Sequence, residues 1–372
     1  MSLAVGAGKY GLKVGIPHIK SIGALAFGPE SILFAADNAG ATIFALDVHD
    51  NDAAHSMRPV NVENLDTRLA AYLGCSRDDL FIRDLAVHAA SQNVYLSVMR
   101  GSGASSVPVL IKLGANGVLA AVSLENIPFA QTAVEKAPSE EDARLDGRVL
   151  PTNSKEGELR EIPGGSLRLA REKLRTVTVT DMAFVDGVLL VAGASNEEFS
   201  SSLRRIPFPF GGHTQMHSLE IFHVSHGKYE TASPIRSFVP FADNNSILAS
   251  YTCTPIVHIS VKDAGAGTQI KGKTVAELGA RNTPIDMVSY KLNGEEFLLV
   301  SNARHPLMKI AGKDIEQQEP LTQPKEPLGV PRKNLPHQGV SKMANLDAGH
   351  VVMMQQDDSG NLHLRSYRAS DL

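Results

Sequence analysis

The chain contains six copies of one three-strand motif, and this repeat constrains the fold more than any other feature of the sequence. Each copy has an apolar strand, a turn of Gly, Asn or Asp, a second strand rich in Val, Leu and Ile, and a third strand after a polar loop. A large apolar residue marks each first strand, namely Leu25, Leu85, Met182, Phe238, Met287 and Met343. The intervals between them are 60, 97, 56, 49 and 56 residues. Because a four-stranded propeller blade needs roughly 40–50 residues, the repeat predicts an all-β, six-bladed β-propeller.

A seven-bladed propeller and two separate domains are the alternatives, although two domains would leave the six copies unexplained. The sixth copy ends at Tyr367, close to the C-terminus, with no room for its own fourth strand. Pairing the last blade with a strand from the other end of the chain removes such an exposed edge. We therefore predict a single domain spanning residues 1–372, in which the N-terminal segment GLKVGIP (residues 11–17) closes the last blade.

Two segments depart from the repeat. Residues 130–178 are charged and broken by Pro and Gly, which predicts a long surface insertion. The other segment, residues 49–80, contains NLDTRLAAYLG and ends its apolar pattern at Gly74, a typical helix C-cap residue. The positions that share one face at helical spacing are Leu65, Leu69, Tyr72 and Leu73. The second segment therefore predicts one short helix.

Composition bears on partners and location. The chain has 36 Lys and Arg against 40 Asp and Glu, a net charge of −4 and no basic run, which disfavours nucleic acid as a partner. No apolar run approaches the roughly 18–20 residues that cross a bilayer, so no transmembrane segment is predicted. The glycine-rich N-terminus does not resemble a secretion signal. A periplasmic or extracellular location would therefore require a signal removed upstream, and the cytoplasm is the alternative.

The starts of the first strands locate a candidate ligand-binding face. In a propeller these strands begin on the face that also carries the loops between second and third strands, so the residue before each anchor lies near the mouth of the central channel. That column contains Ala24, Asp84, Asp181, Ser237, Asp286 and Lys342. Neighbouring positions and loops on the same face add Arg83, Arg100, Asn196, Glu197, Arg236, Cys253, Asn302, Arg304 and His305. We predict that this polar face binds a small ligand or a protein.

Three carboxylates in the column, those of Asp84, Asp181 and Asp286, come from different blades and should point toward one axis. Oxygen ligands from separate strands suit Ca²⁺, so a calcium site is one interpretation. In the other interpretation, each carboxylate accepts hydrogen bonds from the backbone of the adjoining blade, and nearby Arg and Lys side chains neutralise the charge.

Cys253 and a histidine-rich run carry separate metal-binding hypotheses. A thiol in a channel-mouth loop is a nucleophile or soft-metal ligand if its pKa is lowered, and otherwise an inert buried cysteine. Cys75 belongs to a blade that is not a neighbour, so no disulfide with Cys253 is expected. The run HTQMHSLEIFHVSH maps to an outer strand, where a solvated edge is the alternative to a metal site. Its histidines are His213, His217, His223 and His226.

The phrase IGALAFGPESILFAADNAGATIFALD (residues 22–47) resembles an NHL-like blade of the six-bladed propeller superfamily, which includes calcium-dependent lactonases and gluconolactonases. The segments SNEEF, LRRIPFPF and YTCTPIVHISV are similar to uncharacterised bacterial secreted propeller proteins. The resemblance implies the propeller fold and, from its lactonase-like members, calcium held by Glu, Asn and Asp at the channel mouth. The motifs do not match residue by residue, so no catalytic residue is carried over.

Two functions follow from these observations. The first is a non-catalytic binding or scaffold propeller that presents the Asp, Arg and Asn-rich channel mouth to a small ligand or a protein. The second is a calcium-dependent hydrolase of lactone or phosphoester type, in which the cation polarises a carbonyl or activates water. Convergence of the three aspartates around an open position would favour the hydrolase, whereas hydrogen bonds to neighbouring loops would favour the binding protein.

Overall fold

The computed structural model describes residues 8–51, 59–261, 269–325 and 327–372. Nearly all the regular structure in these residues is β-strand, organised in antiparallel sheets. Residues 52–58, which belong to the second segment that departs from the repeat, lie outside the described residues.

Each of the six sequence copies forms one sheet, and we number these sheets 1 to 6 in chain order. Sheet 1 consists of Leu25–Phe27, Ile32–Asp37, Thr42–Asp47, Ile127–Ala133 and Lys13–Gly15. Sheet 2 consists of Leu80–Val87, Val94–Arg100, Val107–Leu113 and Leu119–Ala121. Sheet 3 consists of Asp181–Val185, Val188–Ala194, Ser201–Pro207, Gln215–His223 and Lys228–Glu230, with Gln269–Lys271 added in parallel.

The remaining three sheets follow the same plan. Sheet 4 consists of Ile235–Phe241, Ser246–Tyr251, Cys253–Ser260, Lys273–Asn282 and Leu328–Gly329. Sheet 5 consists of Pro284–Leu292, Glu295–Asn302, Met308–Ala311 and Arg332–Asn334. Sheet 6 consists of Val340–Asp347, His350–Gln356 and Leu362–Arg368. Short 3₁₀ turns occur at Lys9–Gly11, Arg77–Asp79, Gly103–Ser105, Leu174–Val177, Val224–His226 and Ala369–Asp371.

The sheets pack face to face through apolar side chains. The first strand of sheet 1 contacts the first strands of sheets 2 and 3, and first-strand contacts then join sheets 3 and 4, 4 and 5, 5 and 6, and 6 and 2. Each of these six interfaces holds its own cluster of buried apolar residues. Between sheets 1 and 3, for example, the rings of Phe34 and Phe208 meet edge to face with centroids 4.9 Å apart.

The order of the sheets in space differs from their order in the chain. After completing sheet 2, the chain returns to sheet 1, where Ile127–Ala133 pairs with Thr42–Asp47 as the fourth strand. It then continues to sheet 3 on the other side of sheet 1. Sheet 1 therefore lies between sheets 2 and 3, and sheet 2 packs against sheet 6.

The prediction that the N-terminal strand closes the last sheet is wrong. Lys13–Gly15 pairs with Ile127–Ala133 on the outer edge of sheet 1 instead. The strand returning from sheet 2 provides that edge, which sequence order alone does not place next to the N-terminus. On the outer edge of sheet 6, Val62 exchanges two backbone hydrogen bonds with Leu364, of 2.8 and 2.9 Å.

The predicted short helix is present at Leu65–Leu73, and Gly74 caps it with φ +64°. Leu65 and Leu69 are buried in the core between sheets 2 and 6. Tyr72, expected on the same face, is exposed, and its hydroxyl accepts a hydrogen bond from the Ala121 N–H. A second helix spans Gly312–Gln317. No helix in the described part of the chain is long and apolar enough to cross a membrane.

Candidate functional site

The region predicted as a surface insertion contains a three-stranded antiparallel sheet, which we call the cap sheet. Its strands are Leu145–Leu150, Gly165–Lys173 in the centre, and Glu158–Ile162. The first residues of the predicted insertion, 130–133, belong instead to the fourth strand of sheet 1. Pro163 and Gly164 form the tight turn between the last two strands of the cap sheet.

The cap sheet is fastened over the starts of the first strands by contacts to three sheets. Asp146 forms a buried ion pair with Arg236 of sheet 4. Glu156 pairs with Arg83 of sheet 2 at 2.8 Å. The Val149 N–H donates to Thr283 Oγ1, next to the first strand of sheet 5, at 3.0 Å. Arg83 and Arg236, both predicted site residues, therefore hold the cap sheet in place.

A cavity of about 1090 Å³ lies between the cap sheet and the starts of the first strands. Seven Lys and Arg side chains line it against four Asp and Glu, although two of the basic residues, Arg236 and Lys342, pair with Asp146 and Asp84 just behind the wall. The basic residues are Arg83, Arg148, Lys155, Lys173, Arg175, Arg236 and Lys342. Arg148 pairs with Glu172 at 2.9 Å, and its Nε is buried with no hydrogen-bond partner in the described part of the chain. Because that Nε is inaccessible to solvent, the exposed remainder of the Arg148 guanidinium is the part that a ligand could contact.

Below the cavity, the three predicted aspartates each join two sheets. The Leu25 N–H of sheet 1 donates to Asp84 Oδ2 of sheet 2 at 2.8 Å. In the same way, the Phe238 N–H donates to Asp181 Oδ2 at 2.8 Å, and the Met343 N–H donates to Asp286 Oδ2 at 2.7 Å. Ser237 accepts from the Met287 N–H at 3.2 Å. Four of the six residues before the anchors thus bind the anchor backbone of an adjoining sheet.

The charge of these carboxylates is compensated by Lys342, whose Nζ lies 3.0 Å from Asp84 Oδ1. Burial alone would lower the pKa of Lys342, but the surrounding carboxylates of Asp84, Asp286 and Asp181 outweigh it and raise the pKa. Burial, together with the charges of Asp84 and Asp286, raises the pKa of Asp181 to about 7. Burial raises the pKa of Asp286 to about 6, with the charge of Lys342 opposing it.

This arrangement does not fit a calcium site. Calcium needs six to eight oxygen ligands around one open position. Here one oxygen of each aspartate is engaged by backbone N–H, and the ammonium of Lys342 supplies the positive charge beside the carboxylates that a cation would otherwise supply. The hydrogen bonds instead correspond to the interpretation in which the aspartates join adjoining sheets.

The other predicted site residues lie outside the cavity wall. Arg100 donates to the Leu73 carbonyl at 3.1 Å, and Glu197 pairs with Lys136 at 2.7 Å next to Asn196. Asn302 accepts from Asn282 Nδ2 at 2.8 Å, and the Arg304 N–H donates to Asn282 Oδ1. Burial, with the charges of Arg304 and Arg332, lowers the pKa of His305. Cys253 lies beside His223 and His226.

The sequence analysis missed the contribution of the cap sheet to the cavity, above all Arg148 and Glu172. The sequence of residues 158–173, ELREIPGGSLRLAREK, does carry a β-hairpin pattern. Its Pro-Gly dipeptide, a strong turn signal, separates two strand-like runs. The high charge of these runs concealed it, because most of their side chains face solvent or the cavity rather than a core.

No family model and no curated protein matches the chain. Among solved structures, it is similar to the Cps50 (Swd1) β-propeller domain of Myceliophteria thermophila, with 11% identity, coverage of 95% of this chain and 85% of that one, and a TM-score of 0.38. It is also similar to streptogramin B lyase, with 10% identity, 96% and 97% coverage, and a TM-score of 0.37.

A third similarity is to the extracellular domain of a protein named as a hybrid two-component system of B. thetaiotaomicron, with 9% identity and a TM-score of 0.35. The chain spans 39% of that protein while 95% of this chain is covered. Likenesses with TM-scores this low carry no argument about the activity of this chain.

Proposed function

We propose that the chain is a six-bladed β-propeller that binds a small polar ligand without catalysis, in the cavity between the cap sheet and the channel mouth. The six first-strand contacts and six apolar interfaces support closure of a ring in the spatial order 2, 1, 3, 4, 5, 6. The covered cavity carries the functional proposal, because ligand sites are concave spaces with a few convergent polar groups.

The charges of the wall favour a ligand with an acidic group. Basic side chains outnumber acidic ones on the wall, and Arg148 lines the cavity with a partly exposed guanidinium. Arginine binds carboxylates and phosphates through paired N–H groups, which makes Arg148 the residue we expect to contact such a group. A periplasmic or extracellular location stays a prediction of the sequence resemblance.

Removal of the cap sheet tests this proposal. The Leu174 N–H donates to the Arg144 carbonyl at 3.0 Å, so the ends of the cap sheet are adjacent and residues 145–173 can be replaced by a Gly-Gly linker. We expect a thermal-shift screen with small carboxylates and phosphates to identify compounds that stabilise the intact protein. The shortened protein should fold and lose that stabilisation.

A matched pair of arginine variants locates the contact. Arg148→Gln should weaken binding of the identified compound on the order of 10-fold, since a charge-assisted hydrogen bond is removed. Arg160→Gln is the control, because Arg160 lies in the cap sheet, pairs with exposed Glu158 and is not part of the cavity wall. Undiminished binding by the protein without its cap sheet would contradict the proposed site.

The alternative function, a calcium-dependent hydrolase, is the weaker candidate, because backbone N–H groups and Lys342 already engage the three aspartates. The pKa of Asp181, raised to about 7 by burial, is the observation in its favour. A carboxyl that titrates near neutrality suits general acid–base catalysis. The test is metal analysis of the purified protein, together with unfolding in the presence and absence of Ca²⁺ for the wild type and for Asp181→Ala and Asp286→Ala. Absence of bound metal and of any Ca²⁺ effect would reject the hydrolase.

A further inference from the structure

A second cluster of chemically active side chains lies away from the cavity, where the outer strands of sheets 3 and 4 meet. His223 ends the strand Gln215–His223, His226 ends the turn that follows, and Cys253 begins the strand Cys253–Ser260 of sheet 4. One nitrogen of each histidine and the sulfur of Cys253 lie within 4.8 Å of one another. Two imidazoles and a thiol at this spacing form a typical zinc donor set.

Glu230 orients both imidazole rings. Its Oε2 lies 2.9 Å from His223 Nδ1, and its Oε1 lies 2.7 Å from His226 Nδ1. The two ring centroids are 3.9 Å apart. Because the carboxylate engages Nδ1 of both rings, Nε2 is the nitrogen that each ring retains for a metal. Zinc-binding histidines commonly have such a carboxylate on the nitrogen that does not face the ion.

Glu277 is a buried carboxylate whose charge is incompletely satisfied. It is 0% exposed, and its Oε1 lies 3.2 Å from His223 Nε2. Its Oε1 also accepts a hydrogen bond from the Ser225 N–H at 3.3 Å, whereas its Oε2 has no hydrogen-bond partner among the described residues. An unpartnered oxygen on a buried carboxylate is costly, so Glu277 Oε2 is an independent indication that this cluster has room for a cation.

We propose that His223, His226, Cys253 and Glu277 bind one Zn²⁺ ion that links the outer parts of sheets 3 and 4. With Zn–N bonds of about 2.0 Å and a Zn–S bond of about 2.3 Å, tetrahedral ligand atoms lie about 3.5 Å apart, so shifts of about 1 Å bring the His223, His226 and Cys253 donors to bonding distance. Glu277, 3.2 Å from His223, is the nearest buried carboxylate to serve as the fourth ligand. Nitrogen and sulfur donors select zinc over Ca²⁺ and Mg²⁺, which prefer oxygen. Glu230 is a positioning residue in this site.

Cobalt and zinc titrations of the chelator-treated protein test the site. We expect one Co²⁺ per chain, with a thiolate-to-cobalt charge-transfer band and the visible bands of tetrahedral cobalt, both displaced by one equivalent of Zn²⁺. Cys253→Ser should abolish the charge-transfer band. Glu230→Gln should keep the band and weaken metal affinity about 10- to 100-fold.

Matched variants separate this site from adventitious binding. Cys75→Ser replaces the other cysteine, and His213→Ala replaces an exposed histidine of the same run, so both should bind cobalt like the wild type. His226→Ala removes a partly exposed ligand and should abolish tight binding while circular dichroism confirms the fold. Failure of the folded wild type to bind cobalt, or an unchanged band in Cys253→Ser, would overturn the proposal and leave an ion pair of His223 with its two glutamates.

Discussion

Two clusters of the molecule bury carboxylates but compensate the negative charge in different ways. We call them the channel floor, formed by Asp84, Asp181, Asp286 and Lys342, and the His223 cluster, formed by His223, His226, Glu230 and Glu277. In the channel floor, the ammonium of Lys342 lies 3.0 Å from Asp84, and each aspartate accepts a backbone N–H from an adjoining sheet. In the His223 cluster, a histidine lies between two carboxylates, and one oxygen of buried Glu277 has no partner among the described residues.

This difference separates a structural charge cluster from a candidate metal site. A lysine ammonium is part of the chain, and it cannot leave the channel floor to admit another cation. An imidazole can instead exchange its proton for a metal, which couples metal binding to deprotonation. The presence of three aspartates near one axis is therefore a weaker indication of a metal than a smaller cluster with an unsatisfied buried oxygen.

The largest expected effect comes from removing the cation of the channel floor. Lys342→Met leaves the carboxylates of Asp84, Asp181 and Asp286 buried without a positive charge, and it should cost about 3–5 kcal/mol in urea unfolding at pH 8. The loss should shrink toward pH 5, because the pKa values of Asp181 and Asp286 are already raised to about 7 and about 6 and both groups then bind protons.

Lys333→Met is the control for this experiment, since Lys333 is exposed on the outer strand of sheet 5. It should change the free energy of unfolding by less than about 0.5 kcal/mol. An equally small effect of Lys342→Met would show that the channel floor does not depend on its lysine, and the contrast between the two clusters would fail.

An intermediate effect is expected in the His223 cluster of the metal-free protein. His223→Gln should cost about 2–3 kcal/mol, because it leaves Glu277 buried without its charged partner. Adding Glu277→Gln should recover most of the loss, since removing both charges is far less costly than removing one. A double-mutant cycle in chelator measures this coupling, and additive effects would contradict it.

The repeat in the sequence correctly predicts the six sheets, because they follow from local strand patterns. The alignment of the copies also brings out the residues before the anchors, but their predicted role in binding a ligand stays a prediction. Sequence order could not predict that the chain returns from sheet 2 to sheet 1, since the outer strand Ile127–Ala133 pairs with a strand about 85 residues earlier. The error in placing the N-terminal strand follows directly from that return.

The candidate sites, too, could be predicted from the sequence only where they depend on the pattern of the repeat itself. The position of Lys342 among the aspartates follows from the alignment of the copies, whereas the cap sheet could be placed only once its ion pairs to Arg83 and Arg236 were known. Likewise, Cys253 and the histidine run belong to different copies, and their proximity depends on how the outer strands of sheets 3 and 4 meet. Contacts between copies are tertiary, and no pattern within one copy encodes them.

The smallest expected change in the free energy of unfolding comes from Asp181, and it tests whether this carboxyl of the channel floor is protonated in the folded protein. The pKa of Asp181 is raised from 3.8 to about 7, so the folded protein binds this proton more tightly than the unfolded chain does. The resulting stabilisation is complete below pH 3.8 and is lost as the pH rises to about 7. Asp181→Asn removes the charge and keeps one oxygen acceptor for the Phe238 N–H, but it loses the acceptor for the Met182 N–H, which donates to Asp181 Oδ1 at 2.7 Å. The stability of the variant relative to the wild type should therefore be about 1 kcal/mol greater at pH 8 than at pH 4.

At pH 4 the same variant should have no advantage, because the wild-type carboxyl is then protonated in the folded state. Urea unfolding across pH 4–8 measures the difference, with Asp358→Asn, at an exposed turn position, as the control. A constant difference between Asp181→Asn and the wild type across this range would show that Asp181 stays ionised when folded. In that case its interactions with Lys342 and the Phe238 N–H outweigh burial and the neighbouring carboxylates, and the channel floor would be a fully ionised cluster.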